Sequence, residues 1–241
     1  MGRGYQSPGF LSAALAVASR RNAYDNGLLE EPGRHDVADN NVTRDTARPI
    51  VSLTTASGDS LHDETIVQAV RHWVETLVVG LNLCPFAKLE LVRDRVRFAT
   101  TTAATEGQLL AALEAELALL DADPAIETTL LIHPDVLRDF HDYNQFLDDV
   151  DALLEGLGRE GVYQVASFHP DYQFGGTEAK DAENYTNRSP YPLLHVLREA
   201  SLEQAIKRYP GVEQIPAKNI ALMNHLGAAR LQTLLEACFK P

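Results

Sequence analysis

Two apolar runs in this chain stop on the same three residues. T-L-L-I at 129–132 runs into His133-Pro134-Asp135, and V-Y-Q-V-A-S-F at 162–168 runs into His169-Pro170-Asp171. A proline donates no ladder hydrogen bond, so pairing ends where it enters and the chain turns out of the sheet. Both runs therefore read as buried strands with a common exit. A third segment, R-V-R-F-A-T at 95–100, alternates like a half-buried strand.

Helical patterns separate these strands. Thr105 and Gln108 form a capping-box pair ahead of the stripe Leu109, Leu110, Leu113, Leu117, Leu120. From Asp135 to Leu157 the stripe is Val136, Phe140, Tyr143, Leu147, Val150, Leu154, and Asp135 is placed to cap it. Strand, helix, strand, helix, strand predicts an α/β fold: a small parallel βαβαβ sheet flanked by helices, with right-handed crossovers. Before it, Ile66, Val70, Trp73, Leu77 and Leu81 recur at helical spacing behind Ser60 and Asp63, and Pro85 ends that helix. After it come about twenty residues without a period. Ser189-Pro190 then reads as the start of a helix, followed by a C-terminal helical extension over 201–238.

Residues 1–61 are polar and punctuated and predict an irregular extension, leaving 62–241 as a single α/β domain. The expected location is cytoplasmic. The alternative is an exported or organellar protein in which residues 1–18 are a cleaved targeting peptide, since Arg3, F-L-S-A-A-L-A-V-A and Ala16-Val17-Ala18 have the pattern of one. The formal net charge is −13, nearly all of it past residue 61. Such a body repels phosphate backbones and argues against nucleic acid. No apolar run is long enough to span a bilayer. Cys84 and Cys238 show no zinc-type spacing. Cys84, followed by Pro85 near a helix C-terminus, sits at the wrong end of a dipole for an activated thiol.

In an open parallel sheet, ligands bind outside the carboxyl ends of the strands. That rule makes His133 and His169 the first candidates, with Asp171 the freer carboxylate and His169 at the head of the irregular loop. The loop delivers Asn187 and Arg188 to the expected helix start at 189, where free N–H groups and a guanidinium would hold an anion. On that expected helix His195, Arg198 and Glu199 share a face. The resulting reading has His169, Asp171 and His195 as catalytic, and Asn187, Arg188, Arg198 and Glu199 as substrate-binding. A divalent metal such as zinc, iron or manganese would fall to His133, His169, Asp171 and His195. The alternative for each is structural: HPD as a strand exit, and the 195–199 face as a solvated surface pair.

L-N-L-C-P-F-A-K at 81–88 and the block from Phe168 to Ser201 resemble an uncharacterised bacterial family, the domain of unknown function 1415. The resemblance covers roughly 62–241 and implies a bacterial or bacterially derived origin. It carries no activity or cofactor. Two functions follow from the residues. The first is an enzyme, a hydrolase or transferase, acting on a small anionic molecule at the carboxyl edge of the sheet. The second is a non-catalytic carrier or sensor of a metal or metabolite.

Overall fold

The computed structural model describes residues 57–240. Residues 1–56 lie outside the described residues, and with them the expected targeting peptide and most of the expected extension. The first helix, α1, is Ser57–Trp73, so helix begins inside the segment 1–61 expected to be irregular. It continues into a wider, π-type turn over Val74–Val79, followed by the short helix α2, Ala87–Val92. The order is then β1 (Val96–Thr100), α3 (Glu106–Ala122), β2 (Thr128–Ile132), α4 (Phe140–Gly156) and β3 (Tyr163–Phe168). A 3-10 turn at Ala182–Thr186 leads to β4 (Leu193–Arg198), which passes directly into α5 (Glu199–Arg208). After a further 3-10 turn at Val212–Gln214, α6 (Ile215–Leu226) and α7 (Ala228–Ala237) close the described chain.

The expected strands and crossover helices form, but the sheet is mixed. Its order is β1-β2-β4-β3; β1 and β2 are parallel, while β4 lies between β2 and β3 and is antiparallel to both. The purely parallel βαβαβ sheet is thus corrected: β2 and β3 point the same way with one strand slot between them. The segment expected to be a helix from Ser189 fills that slot. Leu-Leu-His-Val-Leu-Arg has no simple alternation because a central strand buries both faces. Leu194 and Val196 pack towards α3 and α4, and Leu193 and Leu197 towards α1, α6 and α7.

The echoed HPD exits now have a physical reason. The first rungs of β4 pair Leu193 with both Ile132 and Phe168. One residue further, the His133 amide donates to Pro192 O (3.1 Å), and the His169 amide donates to Asn187 O (3.2 Å). Both flanking strands lose their partner at the same level, where the chain enters β4. The Thr105–Gln108 cap forms, with Gln108 N donating to Thr105 Oγ1 and Ala104 N to Gln108 Oε1. The cap of α4 is Asp139, which accepts from the amides of His141 and Asp142; Asp135 instead belongs to the turn before the helix.

Leu194 is fully buried at the middle of the sheet. Leu194→Ala should cost about 2–5 kcal/mol, the range for deleting a large buried aliphatic chain. Urea unfolding measures it, and a loss below about 1 kcal/mol would contradict the central position of β4.

Candidate functional site

Strand alternation divides the predicted site residues between the two faces of the sheet. His133 and His169 lie at the carboxyl edge, on the α4 side. His195 is two rungs inside β4 and points to the opposite side. The expected convergence of His169, Asp171 and His195 does not occur. Among the described residues no group of three or more His, Cys, Asp or Glu side chains is arranged to hold a metal ion.

The two edge histidines are fastened to backbone. His133 Nδ1 lies 3.0 Å from Val136 O, and a carbonyl only accepts, so Nδ1 carries the proton. The lone pair on Nε2 is buried and has no partner among the described residues. His169 has the other tautomer: Nε2 donates to Leu137 O (3.2 Å) and Nδ1 accepts from the Asp171 amide (3.0 Å). Both ring nitrogens of His169 are therefore occupied, which leaves none for acid–base work or for a metal. Tyr143 packs between the two rings, 5.7 Å from His133 and 5.1 Å from His169. Its hydroxyl donates to Leu193 O and accepts from the Phe168 amide. The rings tie down the turn 134–137, where Leu137 has a left-handed backbone (φ 56°). Burial lowers both pKa values, that of His133 to about 4. Asp171 is exposed beside this clasp.

Arg188 and Arg198 are similarly committed. Arg188 donates to Tyr172 O and Ala179 O and stacks 4.6 Å over the Tyr185 ring, pinning the loop. With a strand in place of the helix, the anion grip expected at Ser189-Pro190 does not form. Arg198 donates to Leu120 O, Asp123 O and Ile126 O and to the Tyr163 hydroxyl, closing the carbonyl end of α3. Glu199 opens α5, where its charge suits the helix dipole. Asn187 is buried and donates to Ser167 O.

The face carrying His195 holds a cavity of about 830 Å3. Its floor is the sheet, and its walls come from α1, the 83–87 turn, α2, the 174–187 loop, α5 and α6. At its centre His195 Nε2 lies 2.7 Å from Thr128 Oγ1, and that hydroxyl spends its one proton on Val196 O at 2.6 Å. His195 must therefore donate from Nε2, which puts its lone pair on Nδ1. The ring is half-buried by area, but that area opens on the cavity rather than on bulk water. Desolvation pushes its pKa down to about 3.

Cys84 lines the same cavity. It precedes α2 rather than merely following α1, and the amides of Phe86 and Ala87 point at its sulfur, which favours the thiolate; burial outweighs them and pushes the thiol up to about 12. Asn219 holds this turn by donating to Leu83 O (2.9 Å). Trp73 and Thr128, both in the lining, are site residues that the sequence does not announce. Trp73 shows a helical-stripe signal only, and Thr128 shows none.

The family model described as protein of unknown function (DUF1415) matches residues 65–233. The chain belongs to the DUF1415 family. No curated protein and no solved structure matches it. Both stretches that carried the resemblance reach the cavity of this DUF1415 chain: Leu83 to Ala87 from the first, and Phe168, Phe174, Thr177, Asn187 and His195 from the second.

The depressed histidines set a pH dependence. Their folded pKa values lie below the ordinary 6.5, so between pH 6.5 and roughly 3 the unfolded chain binds more protons. Stability is full above pH 6.5 and is lost as pH falls through that window. Each buried imidazole contributes up to about 1.4 kcal/mol per pH unit there. His195→Leu should flatten the slope of unfolding free energy between about pH 6.5 and about pH 4, followed by urea titration at each pH. An unchanged slope would mean that the ring is charged in the native state.

Proposed function

We propose that this DUF1415 chain binds a small molecule of mostly apolar surface in the cavity, in the manner of a carrier or sensor. The observation that carries the reading is the cavity itself: about 830 Å3, within the size range of sites for drug-sized ligands, with a tautomer-fixed His195 at its centre. Trp73, Val74, Val78, Leu83, Leu130 and Phe168 supply the apolar walls. His195, its tautomer fixed by Thr128, and Thr177, Asn187 and Ser201 add polar groups to the lining. The electrostatics favour binding over proton transfer. A general base works best with a pKa near the operating pH and a group that stabilises its charged form. Nε2 of His195 is backed by a hydroxyl rather than a carboxylate.

Trp73 is the only tryptophan of the sequence and lines the cavity, so its emission reports occupancy. Apolar probes such as 1-anilinonaphthalene-8-sulfonate should quench or shift it saturably. Ala205, half-buried in the lining, offers a way to fill the space. Ala205→Phe should weaken binding about tenfold at unchanged melting temperature, by removing roughly one ring's worth of apolar contact. Equal binding by the variant, or no saturable change in the parent, would overturn the reading.

A second reading, an enzyme of the hydrolase or transferase class, draws on Cys84. Its sulfur faces two backbone donors in the cavity that also holds His195. A bound ligand that draws a proton from the thiol would expose a nucleophile already supplied with N–H partners. On this reading, iodoacetamide should label Cys84 slowly in the empty protein and faster with ligand bound. Uniform protection by every ligand favours the carrier.

A further inference from the structure

The two ends of the cavity differ in chemistry, and the sheet fixes which end is which. The rungs Ile132–Leu193–Phe168, Leu130–His195–Ala166 and Thr128–Leu197–Gln164 follow one another down the cavity side of the sheet. The Phe168 rung and the Thr128 rung lie about four residues apart along β2 and β4, or roughly 13 Å. His195 lies midway. At the Phe168 end the lining is aromatic: Trp73 meets Phe168 edge to face at 5.3 Å, and Phe174, from the loop that follows β3, also belongs to the lining. Glu183 is the charged side chain that the loop adds to the lining. At the Thr128 end, by their places beside Val96, Thr128 and Leu197, the lining carries Arg93, Arg95 and Arg198 with Glu90 and Glu127, and Arg208 joins the lining from the far end of α5. Arg95 bridges the two glutamates, 3.2 Å from Glu90 and in direct contact with Glu127. Arg93 and Arg208 are exposed and make no ion pair among the described residues. That end is therefore net positive, with three guanidinium groups against two carboxylates, in a chain whose overall charge is −13. Exposed Leu89, Tyr209 and Ile220 also belong to the lining and make its rim apolar.

Resting on the binding function proposed above, we infer that the ligand is an elongated anionic amphipath. Its apolar body lies along β2 and β4 past His195, its tail ends against Trp73, Phe168 and Phe174, and its carboxylate or similar head meets Arg93 and Arg208. The reverse orientation would set the head in the aromatic surround of Trp73 and Phe168, away from the guanidinium groups, which disfavours an anion.

The test uses the full chain and Trp73 emission, with dodecanoate and its neutral counterpart dodecanol below their aggregation concentrations. Dodecanoate should bind about fivefold tighter, the contribution of partly exposed guanidinium–carboxylate contacts. In the double variant Arg93→Gln/Arg208→Gln the two should bind alike, at the affinity of dodecanol. Bromine quenches indole emission at short range, so ω-bromododecanoate should quench Trp73 strongly and α-bromododecanoate weakly. Equal affinity of acid and alcohol in the parent overturns the anionic head while leaving the cavity reading intact. Equal quenching by the two bromo-acids overturns the orientation. If neither acid nor alcohol changes Trp73 emission, and calorimetry detects no heat of binding, the binding function itself fails.

Discussion

The antiparallel ladder of β4 with β2 and β3 is the interaction on which the rest of the structure depends. Without the 193–198 segment, β2 and β3 would face each other across an empty slot, each with a row of buried N–H and C=O groups left unpaired. With it, a short strand closes two ladders at once and aligns the HPD exits at one level. The same strand divides the chemistry of the molecule. Its alternation sends Leu194 and Val196 into the core beneath α3 and α4 and turns His195 into the cavity on the other side.

The three histidines to which the sequence draws attention are all kept neutral by burial, but they serve different ends. His133 and His169 join a turn to the sheet edge, using opposite tautomers to satisfy carbonyls of the same turn. His195 has its tautomer set by a threonine whose own proton is already committed. That arrangement fixes a direction for one lone pair without raising the basicity of the ring. It suits recognition of a ligand more than removal of its proton.

Much of the fold is legible in the sequence because most elements follow one clear period. The stripes of α3 and α4 and the strands at 96–100, 128–132 and 163–168 fall where periodicity places them. β4 is not legible: its apolar positions at 193, 194 and 197 satisfy a helical stripe as well as a fully buried strand, and local sequence cannot separate the two. That one ambiguity carries the site with it, since His195, Arg198 and Glu199 share a face only on a helix. The role of His169 is hidden for a different reason. Whether a histidine's nitrogens are occupied depends on where distant backbone lies. The group that takes the His169 proton is the Leu137 carbonyl, 32 residues earlier in the chain, and no motif encodes that meeting. Cys84 and Arg188 stand in stretches that the sequence does mark, but their partners are backbone groups that only the folded turns supply.

The hydroxyl of Tyr143 belongs to α4, donates to the first residue of β4 and accepts from the last residue of β3, while its ring fills the space between His133 and His169. One phenol thus fastens a helix, two strands and a turn. Fraying at the carboxyl edge cannot proceed strand by strand, because loosening any one of these pieces strips a buried polar atom of its partner in another. This edge should open as a single cooperative unit, and because Phe168 and Asn187 belong to it and also line the cavity, the aromatic end of the cavity should loosen with it.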